Sequence, residues 1–431
     1  MSGNTSRPLH ERRAPAFPVA QSLGAQIRPA RRTRGIAYAV RDIVTLAQEA
    51  AKTGREMLYL NIGDPNKFDF ETPPQLIEAV LKAMRDNRNG YSPSSGIPAA
   101  VAAIEREAAR RGITNVRDVF VTSGGSEAIE ICLTALVDRG ENVLIPHPGY
   151  PLYEAVLTKL EASARPYFLD EDRGWRPDVE GIRRKLDAKT RAIVIINPNN
   201  PTGAVYDRET LRRILALAAE RGVVVFADEI YDKMILDDKP HVSIAALDPE
   251  APVVTFNGLS KGFLAPGWRI GWGVASGNAG LLKGYLAAIN RLLRARLCAS
   301  HPMQHAVAAA LDGEQAFLAR TRDKLRRRRD ITHEMLNSAP GISCVRPEAA
   351  FYAFPRLDIA GSDEDFVKGL IRETGVVAVH GSGFGEKPGT KHLRVVFLPP
   401  EEVLRKAYAN LLDFLKRKRR RPRGRREASG C

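Results

Sequence analysis

The sequence predicts an α/β protein: a large domain built on a mainly parallel sheet covered by helices, followed by a smaller α+β domain. Three observations carry this. Short, nearly continuous apolar runs at 119–122, 142–146, 192–196, 223–227, 252–256 and 270–274 read as buried strands. Strands apolar on both faces belong to parallel sheets covered on both sides. Helical patterns separate them, as at 211–221, which stops at Gly222 in the way helices commonly end. Finally, 431 residues exceed one ordinary domain. After about residue 300 the pattern turns helix-rich at 303–311 and 315–335, with strand-like pieces at 350–354, 376–379 and 393–397.

In chain order, residues 1–34 read as a basic disordered tail and 35–60 as a segment packing with the small domain. The large domain spans 61–300 and the small one 301–415, and 416–431 form a second basic disordered tail. Thr72-Pro-Pro-Gln75 reads as a capping box with proline at the first helical position, opening a helix over 76–84.

The net charge of +15 suggests nucleic acid until it is located. Residues 1–34 carry +6 and residues 416–431 carry +8, which leaves the body between them at +1. Segments such as RPARRTRG and KRKRRRPRGRR cannot bury enough surface to offset their ordering entropy. They read as solubilising tails, with an RNA-, membrane- or partner-binding arm or an organelle transit peptide as the alternatives. No apolar run is long enough to span a membrane, and residues 1–21 lack the apolar centre of a secretory signal. Cys132, Cys298, Cys344 and Cys431 are scattered without metal-ligand or disulfide spacing, which fits a reducing cytoplasm and no metal.

Five short motifs occur in one order: SGGSEA (123–128), NPNNPTG (197–203), ADEIY (227–231), GLSK (258–261) and GWRIG (267–271). Gly124-Gly125-Ser126-Glu127 lies between a strand and a helix, where glycines let the backbone approach an anion and free N–H groups face it. NPNNPTG makes a rigid loop that can aim the Asn200 amide at a ligand oxygen. An apolar strand delivers Asp228 to a dry place, where a carboxylate needs a positive partner such as a protonated pyridine nitrogen. Tyr231, three residues on, is placed to donate to a phenolate-like oxygen. Lys261 sits in the uncharged run 255–268, where desolvation favours the nucleophilic amine that imine formation needs. Arg269 offers a planar fork for a phosphate dianion. Singly, each residue has an ordinary reading as turn glycine, helix cap or surface lysine; the order of the set is what carries the argument.

Over roughly residues 35–415 this set resembles the class I and II aminotransferases of the aspartate aminotransferase fold type, which use pyridoxal 5′-phosphate. The resemblance implies the fold type I architecture, with a seven-stranded, mainly parallel sheet. It also implies a homodimer with shared sites. It further implies that Lys261 holds the cofactor as a Schiff base and moves the proton, and that Asp228 pairs with the ring nitrogen. Tyr231 and Asn200 would bond the ring's phenolic oxygen, while Gly125, Ser126, Glu127 and Arg269 would hold the phosphate. By the same likeness Tyr150 in HPGYPLY stacks on the ring, and Tyr91 in GYSPSSG reaches the neighbouring subunit's phosphate. Arg394 in HLRVVF clamps the substrate carboxylate, and Gly63 in NIGDP lines the substrate side. One departure is Gly258, where many relatives carry a hydroxyl; Ser260 is placed to compensate.

Longer stretches, AIVIINPNNPTGAVY, FADEIYDK, SIAAL, VTFNGLSK and RLCASHPMQHA, resemble bacterial alanine aminotransferases. That likeness implies exchange of amino groups between alanine and 2-oxoglutarate, with Tyr38 and Arg41 lining the substrate pocket. Transamination of aromatic or branched amino acids and carbon–sulfur β-elimination stay open, because pocket contacts that select side chains differ by only about 1–3 kcal/mol. A cofactor-binding gene regulator would need a DNA-reading module in front, for which 34 residues are too few.

Overall fold

A computed structural model describes residues 27–36 and 39–420. Tyr38 and residues 1–26 and 421–431 lie outside them, and so do most of both expected tails. A short parallel pair begins with β1 (Leu58–Tyr59). The main sheet contains β2 (Val116–Thr122), β3 (Asn142–His147), β4 (Ser163–Asp170), β5 (Arg176–Pro177), β6 (Thr190–Ile196), β7 (Val224–Asp228), β8 (Val253–Gly258) and β9 (Gly271–Ser276). Their order is β2-β9-β8-β7-β6-β3-β4-β5. Strands β4, β3, β6, β7 and β8 run parallel, while β9 is antiparallel to both its neighbours.

Seven strands thus form the body, and the two-residue β5 adds an eighth beside β4. That extra strand, with its Pro177, suits a sheet edge, where a missing N–H costs nothing. Residues within the sheet alternate between two cores. Val225 and Ala227 of β7 face one, Val224 and Phe226 the other, and every residue of the strand is buried.

A third core belongs to the C-terminal part. There lie β10 (Ile342–Ser343), β11 (Tyr352–Ala353), β12 (Arg356–Leu357), β13 (Val376–Val377), β14 (Val379–His380) and β15 (Leu393–Val396). Strand β15 pairs with both β11 and β14, and β13 pairs with β1, which ties the early chain to this part. Helix Ala39–Ala51 adds Ile43 and Ala47 to the same core.

Three local expectations are corrected. Helix Pro74–Arg85 begins without a side-chain cap, because Thr72 Oγ1 donates instead to the Leu264 carbonyl at 2.6 Å. A bond to the other side of the chain won over the local one. Residues 416–420 are also not part of a disordered tail, since helix Glu401–Arg420 runs through them. Leu404, Ala407, Tyr408, Leu411, Phe414 and Leu415 bury one face of it. Lys418 and Arg419 then pair with Glu373 at 2.7 Å and Asp358 at 3.1 Å. At the other end, Arg31–Gly35 form a 3₁₀ turn inside the span expected to be disordered.

Candidate active site

The motif residues gather at the C-terminal ends of the parallel strands, the edge at which open α/β sheets place ligands. Strand β7 ends at Asp228, β6 leads into the loop with Asn200, and β8 leads into Lys261. Strand β2 feeds helix Gly125–Thr134 through Gly124, whose φ of 88° suits glycine. A Cβ at Gly124 would also lie 2.4 Å from Arg269 Nη2, so the guanidinium rests in space that only glycine leaves open. Arg269 is fixed by the carbonyls of Pro266 at 3.1 Å and Ser123 at 3.4 Å. The amides of Gly125 and Ser126 open the helix and have no acceptor within it. Glu127 closes the turn instead: its amide donates to the Gly124 carbonyl at 3.1 Å, and its carboxylate accepts from Ser123 N at 2.6 Å.

Burial pushes the Asp228 carboxyl up to about 6, against the amide of Ile230 and the hydroxyl of Tyr153, which stabilise its charge. Tyr153 Oη donates to Asp228 Oδ2 at 3.2 Å. Among the described residues no cation forms an ion pair with Asp228. Lys261 is part-buried, and its Nζ donates to the Gly63 carbonyl at 2.7 Å. Burial brings this amine down to about 8; Arg394 and Arg269 push the same way, while Asp64 opposes. Gly63 has no room for a side chain, since a Cβ would lie 2.1 Å from the Tyr352 hydroxyl. That hydroxyl is 2.9 Å from the Tyr231 hydroxyl. Arg394 donates to the Asn61 carbonyl at 2.6 Å and to Asn200 Oδ1 at 3.4 Å. The rings of Phe384 and Tyr352 hold its guanidinium at 4.5 Å and 4.8 Å.

The remaining expected residues fall as follows. Tyr150 is half-buried against the core that contains Tyr153, and Ser260 is buried beside Lys261. Tyr91 is 83% exposed. Arg41 lies in helix Ala39–Ala51, while Tyr38 lies outside the described residues.

The family "Aminotransferase class I and II" matches residues 55–411. The chain belongs to the class I and II aminotransferases. As a member of that family it is a transaminase that depends on pyridoxal phosphate. Its relatives include the glutamate-pyruvate aminotransferase AlaA of Haemophilus influenzae, 41% identical over 84% of this chain and 91% of that protein. The alanine aminotransferase of Mycobacterium tuberculosis is 40% identical over 84% of this chain and 86% of its own. Among solved structures, an alanine aminotransferase from Pyrococcus furiosus superposes with a TM-score of 0.87 at 40% identity, covering 90% of this chain and all of that one. The site of this aminotransferase fits its cofactor: an anion cradle at Gly124, a buried carboxyl that pairs with no cation among the described residues, and a lysine with a lowered pKa lie along one sheet edge.

Several residues were missed by motif reading. Tyr153 closes the stretch HPGYPLY, where nothing in the sequence marks its hydroxyl. Arg111 lies far from Glu229 in sequence, yet the two form a buried ion pair, and Glu229 also accepts from Ser243 Oγ at 3.0 Å and Ile244 N at 3.2 Å. Tyr352 sits in an apolar strand, where nothing marks its hydroxyl as functional. Gly258 turns out to be a steric need, because a Cβ there would meet the Ile270 carbonyl at 2.7 Å.

Proposed function

We propose that this aminotransferase exchanges the amino group between alanine and 2-oxoglutarate in two half-reactions, with the cofactor held as a Schiff base on Lys261. The observation that carries the site reading is the meeting, on one sheet edge, of a part-buried amine at about 8 with a buried carboxyl at about 6 that no cation pairs with among the described residues. The relatives named for alanine or glutamate–pyruvate exchange support alanine as the substrate.

Pyridoxal phosphate, when bound, supplies an aldehyde carbon for amines and a ring that withdraws electrons. This chain's residues do the rest. Asp228 holds a proton on the ring nitrogen, and Tyr153 holds Asp228. The amides of Gly125 and Ser126, with Arg269, take the phosphate, and Glu127 sets the turn that presents them. Tyr231 and Asn200 would bond the phenolic oxygen, Tyr150 would stack on the ring, and Ser260 would help hold the phosphate. Arg394 would fix the substrate carboxylate with its planar fork, while Gly63 would line the pocket. Lys261, once the substrate amine has displaced it, would use its freed amine to remove the proton from the substrate α-carbon and deliver it to the cofactor's aldehyde-derived carbon, as general base and then acid.

The exposed ring of Tyr91 suits a residue that completes a neighbouring subunit's site in a homodimer. The proposed division is into a large domain over 61–300 and a small one over 301–415, and the cores move its boundary: Ala306, Val307, Ala310 and Leu311 of helix His301–Leu311 pack with the large domain's core. No helix among the described residues is long and apolar enough to cross a membrane, and a cytoplasmic place fits the free cysteines. The test is a mixture of L-alanine and 2-oxoglutarate, which should yield pyruvate and glutamate in equal amounts. Pyruvate formed from an S-substituted cysteine, with no matching new amino acid, would replace this reading by carbon–sulfur elimination.

A further inference from the structure

His392 lies two residues before Arg394, so strand alternation places both side chains on one face. Its buried ring stacks on Phe354 at 4.7 Å and meets Trp175 edge-on at 5.5 Å. Nε2 is 3.2 Å from Glu171 Oε2, and Nδ1 is 3.2 Å from Glu386 Oε2. A neutral imidazole has one N–H, and an ionised carboxylate only accepts. Two hydrogen bonds therefore need one proton more than a neutral ring between two carboxylates carries.

Glu171 and Trp175 follow β4 in the large domain, whereas Glu386 and His392 lead into β15 of the small one. Gly381 N donates to the His392 carbonyl at 2.8 Å, and a Cβ on Gly381 would lie 2.6 Å from His392 Cβ. The loop from Gly381 to Glu386 is thus pressed onto His392, and it carries Phe384, which packs on the Arg394 guanidinium.

We propose that Glu171, His392 and Glu386 form a proton-dependent clamp between the domains, with His392 as a positioning residue for Arg394. The effect on substrate rests on Arg394 being the carboxylate-binding arginine. Burial opposes charge on His392, but its hydrogen bonds to Glu171 and Glu386 outweigh that and raise its pKa. Burial, with Asp363 nearby, raises Glu386 as well. Arg356 Nη1 stands 3.7 Å from the same oxygen of Glu171. The Cys344 thiol near Glu171 stays neutral, because burial pushes it up to about 12. A histidine raised on folding adds stability below its ordinary value of 6.5 and loses it as pH climbs through the raised value.

Propionate, which is alanine without its amine, tests the clamp on the holoenzyme through the absorption of the bound cofactor. Between about pH 6 and pH 9 the wild type should lose about tenfold more affinity than Glu386→Gln, roughly one charge-assisted hydrogen bond. Glutamine can donate to a neutral ring, so that variant keeps both bonds at high pH. His392→Asn should bind weakly throughout. Equal pH profiles for wild type and Glu386→Gln, while Arg394→Lys weakens propionate, would overturn the clamp. If Arg394→Lys binds propionate as well as wild type, the carboxylate reading fails instead. The clamp then stands or falls on thermal unfolding: the wild-type Tm should drop more than that of Glu386→Gln over the same pH range, and equal drops overturn it.

Discussion

Tyr153 donates its hydroxyl proton to Oδ2 of Asp228 across 3.2 Å, in a pocket where both residues are buried. Among the described residues it is the one side chain that bonds this carboxyl. Because the bond favours the ionised acid, Tyr153→Phe should weaken cofactor binding by about 1 kcal/mol, roughly fivefold in Kd. Titrating cofactor-free protein with pyridoxal phosphate gives the number. An unchanged Kd would remove Tyr153 from the account.

Burial sets the sign of a pH effect at Asp228. Its folded value of about 6 lies above the ordinary 3.8, so the folded chain binds the proton more tightly than the unfolded chain. Stability of the cofactor-free protein should therefore fall as pH rises from about 4 to about 6, by on the order of 3 kcal/mol at most. Asp228→Asn should flatten that part of the stability curve in urea unfolding. A wild-type curve that rises through this window as steeply as the variant's would contradict the assignment.

Gly258 stands where many relatives have a hydroxyl, so serine looks like a harmless restoration. Here a Cβ would sit 2.7 Å from the Ile270 carbonyl and 2.9 Å from Gly271 Cα, both backbone atoms. Gly258→Ser should cost about 1–3 kcal/mol, as overpacking does. A Tm equal to or above wild type would show that β8 and β9 can part more easily than their pairing implies.

Glu229 adjoins Asp228 but faces the other way, into Arg111, Ser243 and the Ile244 amide. Glu229→Gln leaves the part-buried Arg111 with Asp232 at 3.5 Å as its remaining ion-pair partner among the described residues. Breaking such a pair costs about 3–5 kcal/mol. Denaturant unfolding should show a loss of that order, and a loss within the scatter of surface substitutions would mean that water reaches the pair.

The buried parallel strands were legible because each is apolar on both faces, and the chemistry because five motifs keep one order. Strand β4 was not, since SARPYFLD mixes polar residues with a proline near the sheet edge and has no clean period. Strand β5 is too short to leave a pattern. Within the site, Lys261 stands out in an uncharged run and Asp228 at the end of an apolar strand, whereas Tyr153 and Tyr352 hide among apolar neighbours and gain meaning only from where the chain folds them. Long-range pairs such as Arg111 with Glu229 leave no trace in a single sequence. The charged run at 416–420 misled because its basic residues outweigh the apolar face that the helix already buries.

The most direct test of the central claim is the visible absorption of the purified holoprotein as L-alanine and then 2-oxoglutarate are added. A cofactor band that bleaches with alanine and returns with 2-oxoglutarate is the predicted result. A band that ignores alanine and answers another amino acid would contradict the alanine assignment. No band after incubation with pyridoxal phosphate would contradict the role of Lys261 itself.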